Sequence, residues 1–211
     1  MEILRAIANR LEHGDHVEVD ELTRQAVEEG LPASTILDDG LLAGMEVVGA
    51  KFRDHEIFLP EVLLAARAMY AGLDHLKPLL LAEEVPTRGT VVLGSVKGDL
   101  HDIGKNLVGI MLEGSGYQVV DLGTDVAAER FVDAAVEHAA PLIGMSALLT
   151  TTMTTMGEVV SLLRERGLAG RIRTIVGGAP VSEEFARTIG ADAYGFDAAN
   201  AVERVRQLLE A

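Results

Sequence analysis

The 211-residue chain contains no cysteine and no tryptophan. The first absence removes disulfides, iron–sulfur clusters, thiolate zinc sites and cysteine nucleophiles together. Aromatic residues make up only 4%, so a flat ligand would be held by backbone, small residues and aliphatics more than by stacking. Positive charge is scarce too: 18 Lys and Arg stand against 33 Asp and Glu, a net charge of −15, which argues against a nucleic-acid footprint. No apolar run reaches membrane-spanning length, and the acidic, helix-patterned start MEILRAIANRLEHGD lacks the zones of a signal peptide. A cytoplasmic chain without a nucleic-acid or membrane partner is the expectation, and the lack of cysteine fits a reducing compartment. What is present is 48% hydrophobic and 24% charged residues, a composition that folds into one large domain or two small ones.

The first eighty or so residues carry helical periodicity. Ile3, Ile7 and Leu11 share a face, as do Leu22 and Ala26, with turns at His13-Gly14-Asp15 and Glu29-Gly30-Leu31-Pro32. Ser34 is placed to cap a helix whose apolar set Leu37, Leu41, Met45, Val48 and Phe52 makes one stripe. A long bundle helix opens at Phe58-Leu59-Pro60, a first-turn proline, and carries Phe58, Val62, Ala65, Met69, Leu73, Leu76 and Leu80.

Beyond Ala82–Arg88, a short charged stretch broken by Pro86, apolar runs alternate with helical segments. The domain boundary belongs there. Strands are expected at Thr90–Val96, Gln118–Leu122, Leu142–Ala147, Arg173–Val176 and near Ala193-Tyr194. Helices are expected at Ile103–Ser115, Ala127–His138, Thr152–Arg166, Ser182–Ile189 and Ala198–Leu209. Five such units imply a doubly wound parallel sheet, whose ligands bind beyond the carboxyl ends of the strands.

The most specific stretch is Lys97-Gly98-Asp99-Leu100-His101-Asp102-Ile103-Gly104-Lys105-Asn106, after the first strand. It is no phosphate loop, because the glycine spacing is too long and Asn follows the lysine. Nor is it a dinucleotide fingerprint, since two aspartates would face the phosphates. It offers an imidazole two residues from a carboxylate, an arrangement in which Asp99 orients a ligating His101. In isolation the same pair is also a hydrogen-bonded turn histidine.

Together with Ser146 and Leu148 after the third strand, and Gly177-Gly178 after the fourth, this loop resembles the signature of corrinoid-binding proteins of cobalamin-dependent methyltransferases. The methionine synthase module of cap and cobalamin-binding domain is similar along nearly the whole chain. The resemblance implies an N-terminal all-α four-helix bundle cap, residues 1–85. A Rossmann-like (flavodoxin-like) α/β domain with five parallel strands and bound cobalamin follows, residues 86–211.

By that resemblance His101 replaces the corrinoid's own lower base on cobalt, and Asp99 fixes its tautomer. When cobalt becomes four-coordinate and nucleophilic, the released histidine can accept a proton. Asp102 and Gly104 complete the loop. Ser146, Leu148 and Thr150 would line the pocket of the buried nucleotide tail, and Thr152 stands where the family has a serine extending the His-Asp pair. Gly177 and Gly178 would admit the tail, with Tyr194 and Ala198 at its far wall, and Phe58 would press on the methyl face. Each has a plainer reading: a Thr-rich helix cap, a strand-end glycine turn, a core phenylalanine.

The function implied is a corrinoid carrier, itself without a catalytic residue. It would take a methyl group from methanol, a methylamine or a methoxyaromatic and deliver it as methylcobalamin to a thiol or pterin. Its partners would be a donor-specific and an acceptor-specific methyltransferase protein, with a reductive activator and a homo-oligomer compatible. Two other classes fit part of the pattern: a cobalamin-dependent sensor, and a simple metal-binding hydrolase using Asp99, His101 and Asp102. The remaining histidines show no ligand spacing, and the acidic pairs such as Glu28-Glu29 and Asp38-Asp39 read as solvated faces.

Overall fold

The computed structural model describes residues 2–82 and 87–209. They divide into two compact units: residues 2–82 with Gly114–Gly116, and residues 87–113 with 117–209. The boundary expected between residues 85 and 86, within the charged stretch 82–88, lies outside the described residues.

The first unit is helical. Helix α1 (Glu2–Glu12) buries Leu4, Ile7 and Leu11, and α2 (His16–Glu28) buries Val19, Thr23 and Ala26. Asp15 caps α2 by accepting the amide of Glu18 at 3.2 Å, which satisfies one orphan donor of the first turn. The α2 stripe thus runs one residue off the expected Leu22, which is only half-buried.

The third rod is composite. It runs as α3 (Ala33–Ile36), a π-helical stretch (Leu37–Leu42) and α4 (Ala43–Arg53). Pro32 precedes its first turn, so the expected cap Ser34 already lies inside the helix. Leu41, Met45 and Val48 are buried as expected. The wider π turn also brings Gly40 and Gly44 against α1, where a Cβ on Gly44 would stand 2.8 Å from the Ala8 carbonyl oxygen. Only glycine permits that approach.

Helix α5 (Leu59–Ala82) has Pro60 in its first turn and buries Val62, Ala65, Met69 and Leu76. Phe58 is not part of that stripe: it precedes the helix and is 64% exposed. The reason is its position before the first helical turn, where the α5 periodicity does not reach.

The second unit is an all-parallel sheet of β1 (Thr90–Ser95), β2 (Gln118–Asp121), β3 (Leu142–Ser146), β4 (Arg173–Gly177) and β5 (Ala193–Gly195), in the order β2-β1-β3-β4-β5. Helices α6 (Ile103–Glu113), α7 (Ala128–Glu137), α8 (Thr154–Glu165), α9 (Glu183–Ile189) and α10 (Ala198–Leu209) connect and cover it. Strands β1 and β3 are buried almost throughout, and their apolar runs carry no alternation, as expected where both faces are covered. Phe131 of α7 is fully buried and fits because β1 has Gly94: a Cβ there would lie 2.8 Å from its ring. Truncating such an aromatic costs about 3–5 kcal/mol.

Register aligns the carboxyl ends. Ser95 pairs with Ser146, Ser146 with Gly177, and Gly177 with Gly195, so four small residues form one row across the sheet. The strand order reverses between β1 and β3, and a crevice opens at such a point. Among the described residues no helix is long and apolar enough to cross a membrane.

Candidate functional site

The loop leaving β1 is bent back over the strand ends by its own hydrogen bonds. Asp99 N–H donates to Val96 O at 2.9 Å, and Gly98, with φ of +81°, donates its N–H to Asp125 Oδ1 at 2.7 Å. The amide of Asp125 in turn donates to Asp99 O at 3.0 Å. The loop therefore carries Asp99 inward, fully buried, while the His101 side chain stays 51% exposed.

Asp99 gathers five donors. Oδ1 accepts from the His101 amide at 3.1 Å and faces the His101 ring Nδ1 at 2.8 Å. Oδ2 accepts from the amides of Leu148 at 2.8 Å and Leu149 at 3.1 Å, and from Thr152 Oγ1 at 2.8 Å. Burial by itself raises the carboxyl pKa. Hydrogen bonds from the His101 ring, the Leu148 amide, the Thr152 hydroxyl and the His101 amide outweigh it and hold Asp99 well below the ordinary carboxylate range.

An ionised carboxylate can only accept, so Nδ1 of His101 must be the donor. The second ring nitrogen, Nε2, is left for something outside. Thr152 Oγ1 also lies 2.8 Å from Leu149 O; a hydroxyl has one proton, and the charged acceptor is the stronger. The threonines after β3 do not cap α8, which starts at Thr154 instead of Thr152 and has no side-chain cap bond. Thr152 spends its hydroxyl on Asp99.

The other expected residues take separate places. Asp102 is exposed beside α6 and accepts from Asn106 Nδ2 at 3.1 Å. Ser146 and Gly177 are row neighbours, Thr150 is exposed, Tyr194 is half-buried against the core, and Ala198 is buried in the first turn of α10. Phe58 belongs to the helical unit.

The glycines divide by cause. A Cβ on Gly178, whose φ is +127°, would fall 1.9 Å from Ala147 O, and one on Gly177 would fall 2.8 Å from Gly195 O. The fold itself requires both, because the strand ends approach there. Gly104 differs: it lies in the first turn of α6, and nothing stands within 4 Å of where its Cβ would be. Glycine there costs helix stability of about 1 kcal/mol relative to alanine and leaves open space at the start of α6.

Four residues at the site escape sequence reading. Ser95, fully buried, donates Oγ–H to the His101 carbonyl at 2.6 Å. Lys105, 2% exposed, reaches Asp121 at 2.5 Å and Asn106 Oδ1 at 2.6 Å, tying the start of α6 to the end of β2. Leu149 acts through its amide, and Asp125 through the Gly98 turn. The one available signal was a hydroxyl or ammonium group inside an apolar pattern, since buried polar groups find partners.

Among the described residues no three His, Cys, Asp or Glu side chains group as ligands of one ion. Several exposed side chains near His101 in the chain or in the loop that holds Asp99 are aliphatic: Leu100 and Ile103 are 72% and 70% exposed, and Leu148 and Leu149 about two-fifths, with the exposed Asp102 among them. A single imidazole on an apolar seat suits a metal that brings its own equatorial donors within a large, partly apolar ring.

Comparison with known proteins agrees with that chemistry. A family described as B12 binding domain matches residues 89–206, and a second of the same description matches residues 3–77. A corrinoid protein of Desulfitobacterium hafniense is 42% identical over 99% of this chain and 98% of its own length. Trimethylamine corrinoid protein 2 of Methanosarcina acetivorans is 39% identical over 99% and 97%. The crystal structure of the methanol:cobalamin methyltransferase complex MtaBC from Methanosarcina barkeri aligns with a TM-score of 0.89 at 35% identity, covering 99% of this chain and 80% of that one.

Proposed function

The chain belongs to the B12-binding corrinoid proteins of methyltransferase systems, and on that premise we propose that it is a methyl-carrying corrinoid subunit with His101 as its lower cobalt ligand. The observation that carries the assignment is the pairing of Asp99 with His101 Nδ1 at 2.8 Å, which directs Nε2 outward. Cobalamin, when bound, supplies a cobalt centre that accepts and yields a methyl group.

The chain's own residues set the terms. Asp99 keeps the ring in one tautomer and raises its donor strength. Leu148, Leu149 and Thr152 hold Asp99 ionised, so the carboxylate would keep accepting from Nδ1–H and leave Nε2 to hold cobalt. Gly104 leaves open space at the start of α6, and the exposed Leu100, Ile103, Leu148 and Leu149 would offer apolar surface to a macrocycle. Ser146, Thr150, Gly177, Gly178, Tyr194 and Ala198 would receive the nucleotide tail along the row of strand ends.

A carrier must meet a partner that loads it and one that unloads it, so methyltransferase proteins are its partners. The donor proposed is a small methyl compound of the methanol, methylamine or methoxyaromatic class, and the acceptor a thiol or pterin. The likeness to trimethylamine and dimethylamine corrinoid proteins and to a methanol complex supports the methanol and methylamine part of that range.

The test is loading of apo-protein with hydroxocobalamin, desalting, reduction to cobalt(II) and electron paramagnetic resonance. Retained corrinoid with a single nitrogen coupling that vanishes in His101→Ala is expected. A folded wild-type protein that retains no corrinoid overturns the assignment.

A further inference from the structure

His101 is held at three points. Its ring and its amide are tied by Asp99, and its peptide carbonyl is tied by the Ser95 hydroxyl at 2.6 Å. The residues flanking it, Leu100 and Asp102, are themselves exposed, so these hydrogen bonds are the anchors the loop offers at this point.

Resting on the cobalamin reading above, we infer that Ser95 is a positioning residue for the cobalt ligand. Its hydroxyl fixes the His101 carbonyl, and with it the reach and angle at which Nε2 is presented. Asp99 holds the ring and the amide side of the peptide through one carboxylate oxygen; the Ser95 bond fixes the carbonyl side as well and so limits rotation of the peptide that carries the ring.

Ser95 is suited to the task because it cannot drift. It ends β1, its amide donates to Gly123 O at 2.9 Å, its carbonyl accepts from the Val126 amide at 3.0 Å, and it is registered against Ser146. Its side chain is fully buried, so the His101 carbonyl is the partner its hydroxyl has, and a buried hydroxyl without one is costly. In effect the rigid sheet, through one hydroxyl, sets the position of an otherwise exposed loop residue. Groups that orient a metal ligand typically change metal affinity by about 10–100-fold when removed.

The experiment compares wild type, Ser95→Ala and Ser95→Thr, each as apo-protein and loaded with cobalamin. In the cobalt(II) form, Ser95→Ala is expected to keep the corrinoid while its equilibrium for histidine ligation falls about tenfold, seen as loss of nitrogen coupling. Ser95→Thr, which keeps the hydroxyl, restores the coupling. In apo-protein, nitrogen-15 resonances of the His101 ring should broaden or shift in Ser95→Ala and stay as wild type in Ser95→Thr. Where alanine prevents folding, Ser95→Cys, a weaker donor of similar size, should show a partial loss.

Wild-type nitrogen coupling and wild-type ring resonances in Ser95→Ala overturn the inference. The apo-protein measurement keeps the two readings apart. If even wild type retains no cobalamin, the proposed function fails, while the ring resonances still decide whether Ser95 positions His101.

Discussion

Leu148 and Asp99 are 49 residues apart in the chain, yet the Leu148 amide lies 2.8 Å from Asp99 Oδ2. That bond joins the loop after β1 to the loop after β3, at the point where the strand order reverses. Leu149 and Thr152 reinforce it from the same segment. Asp99 is thus a structural crosslink as well as the partner of His101.

Removing the crosslink should show as lost stability even without cofactor. Asp99→Ala leaves buried amides and a hydroxyl without their acceptor, a loss of about 3 kcal/mol. Urea denaturation of apo-protein at neutral pH measures it, and a loss under about 1 kcal/mol would contradict the crosslink.

The same carboxylate makes stability depend on pH with a defined sign. Its folded pKa is depressed, whereas the unfolded value is about 3.9. The unfolded state therefore binds the proton first, and Asp99's contribution, complete above that value, is lost as pH falls below it. Denaturation of wild type and Asp99→Asn from pH 7 to pH 3 should give curves whose difference is flat above about pH 5 and shrinks below about pH 4. A difference constant across the range would refute this.

Thr152 separates shape from hydrogen bonding. Thr152→Val keeps the volume, removes the donor 2.8 Å from Asp99, and should cost about 1–2 kcal/mol. Thr152→Ser keeps the donor and loses one methyl, for about 0.8 kcal/mol. Thermal melts of both variants rank them, and valine milder than serine would show that the hydroxyl contributes little.

The two classes of glycine should respond in opposite ways. Gly178→Ala drives a Cβ into the Ala147 carbonyl and should destabilise by more than about 3 kcal/mol. Gly104→Ala meets open space and should leave the apo-protein unchanged or stabilise it by up to about 1 kcal/mol. If Gly104 leaves room for the corrin, that variant should nonetheless retain less cobalamin after desalting; full retention would remove Gly104 from the site.

Much of this architecture was legible in the sequence because it rests on periodicity. The change from helical spacing at Leu41, Met45 and Val48 to continuous apolar runs such as Val91 to Val96 marked two structural classes, and each expected strand was found within a residue or two. Asp99 and His101 were legible as side-chain chemistry, Thr152 only through the family resemblance, and the structure places the three in hydrogen-bond contact through Asp99. What stayed hidden has no periodic signature. The π-helical stretch at Leu37–Leu42 widens a backbone whose apolar spacing still reads as ordinary helix. The amides of Leu148 and Leu149 belong to every residue type alike, so no side chain announces them. Ser95 looks like a small residue at a strand end until the loop folds back over it.

The contact between Asp99 and the segment 148–152 also has a consequence for synthesis. A ribosome-bound chain that has emerged only as far as α7 carries His101 but lacks the amides and hydroxyl that hold Asp99. Non-local contacts of this kind form after local helices do. The full set of donors around Asp99 is therefore acquired late and together with the β1–β3 pairing, so a half-made chain presents His101 beside an unheld carboxylate and only an assembled sheet fixes the pair.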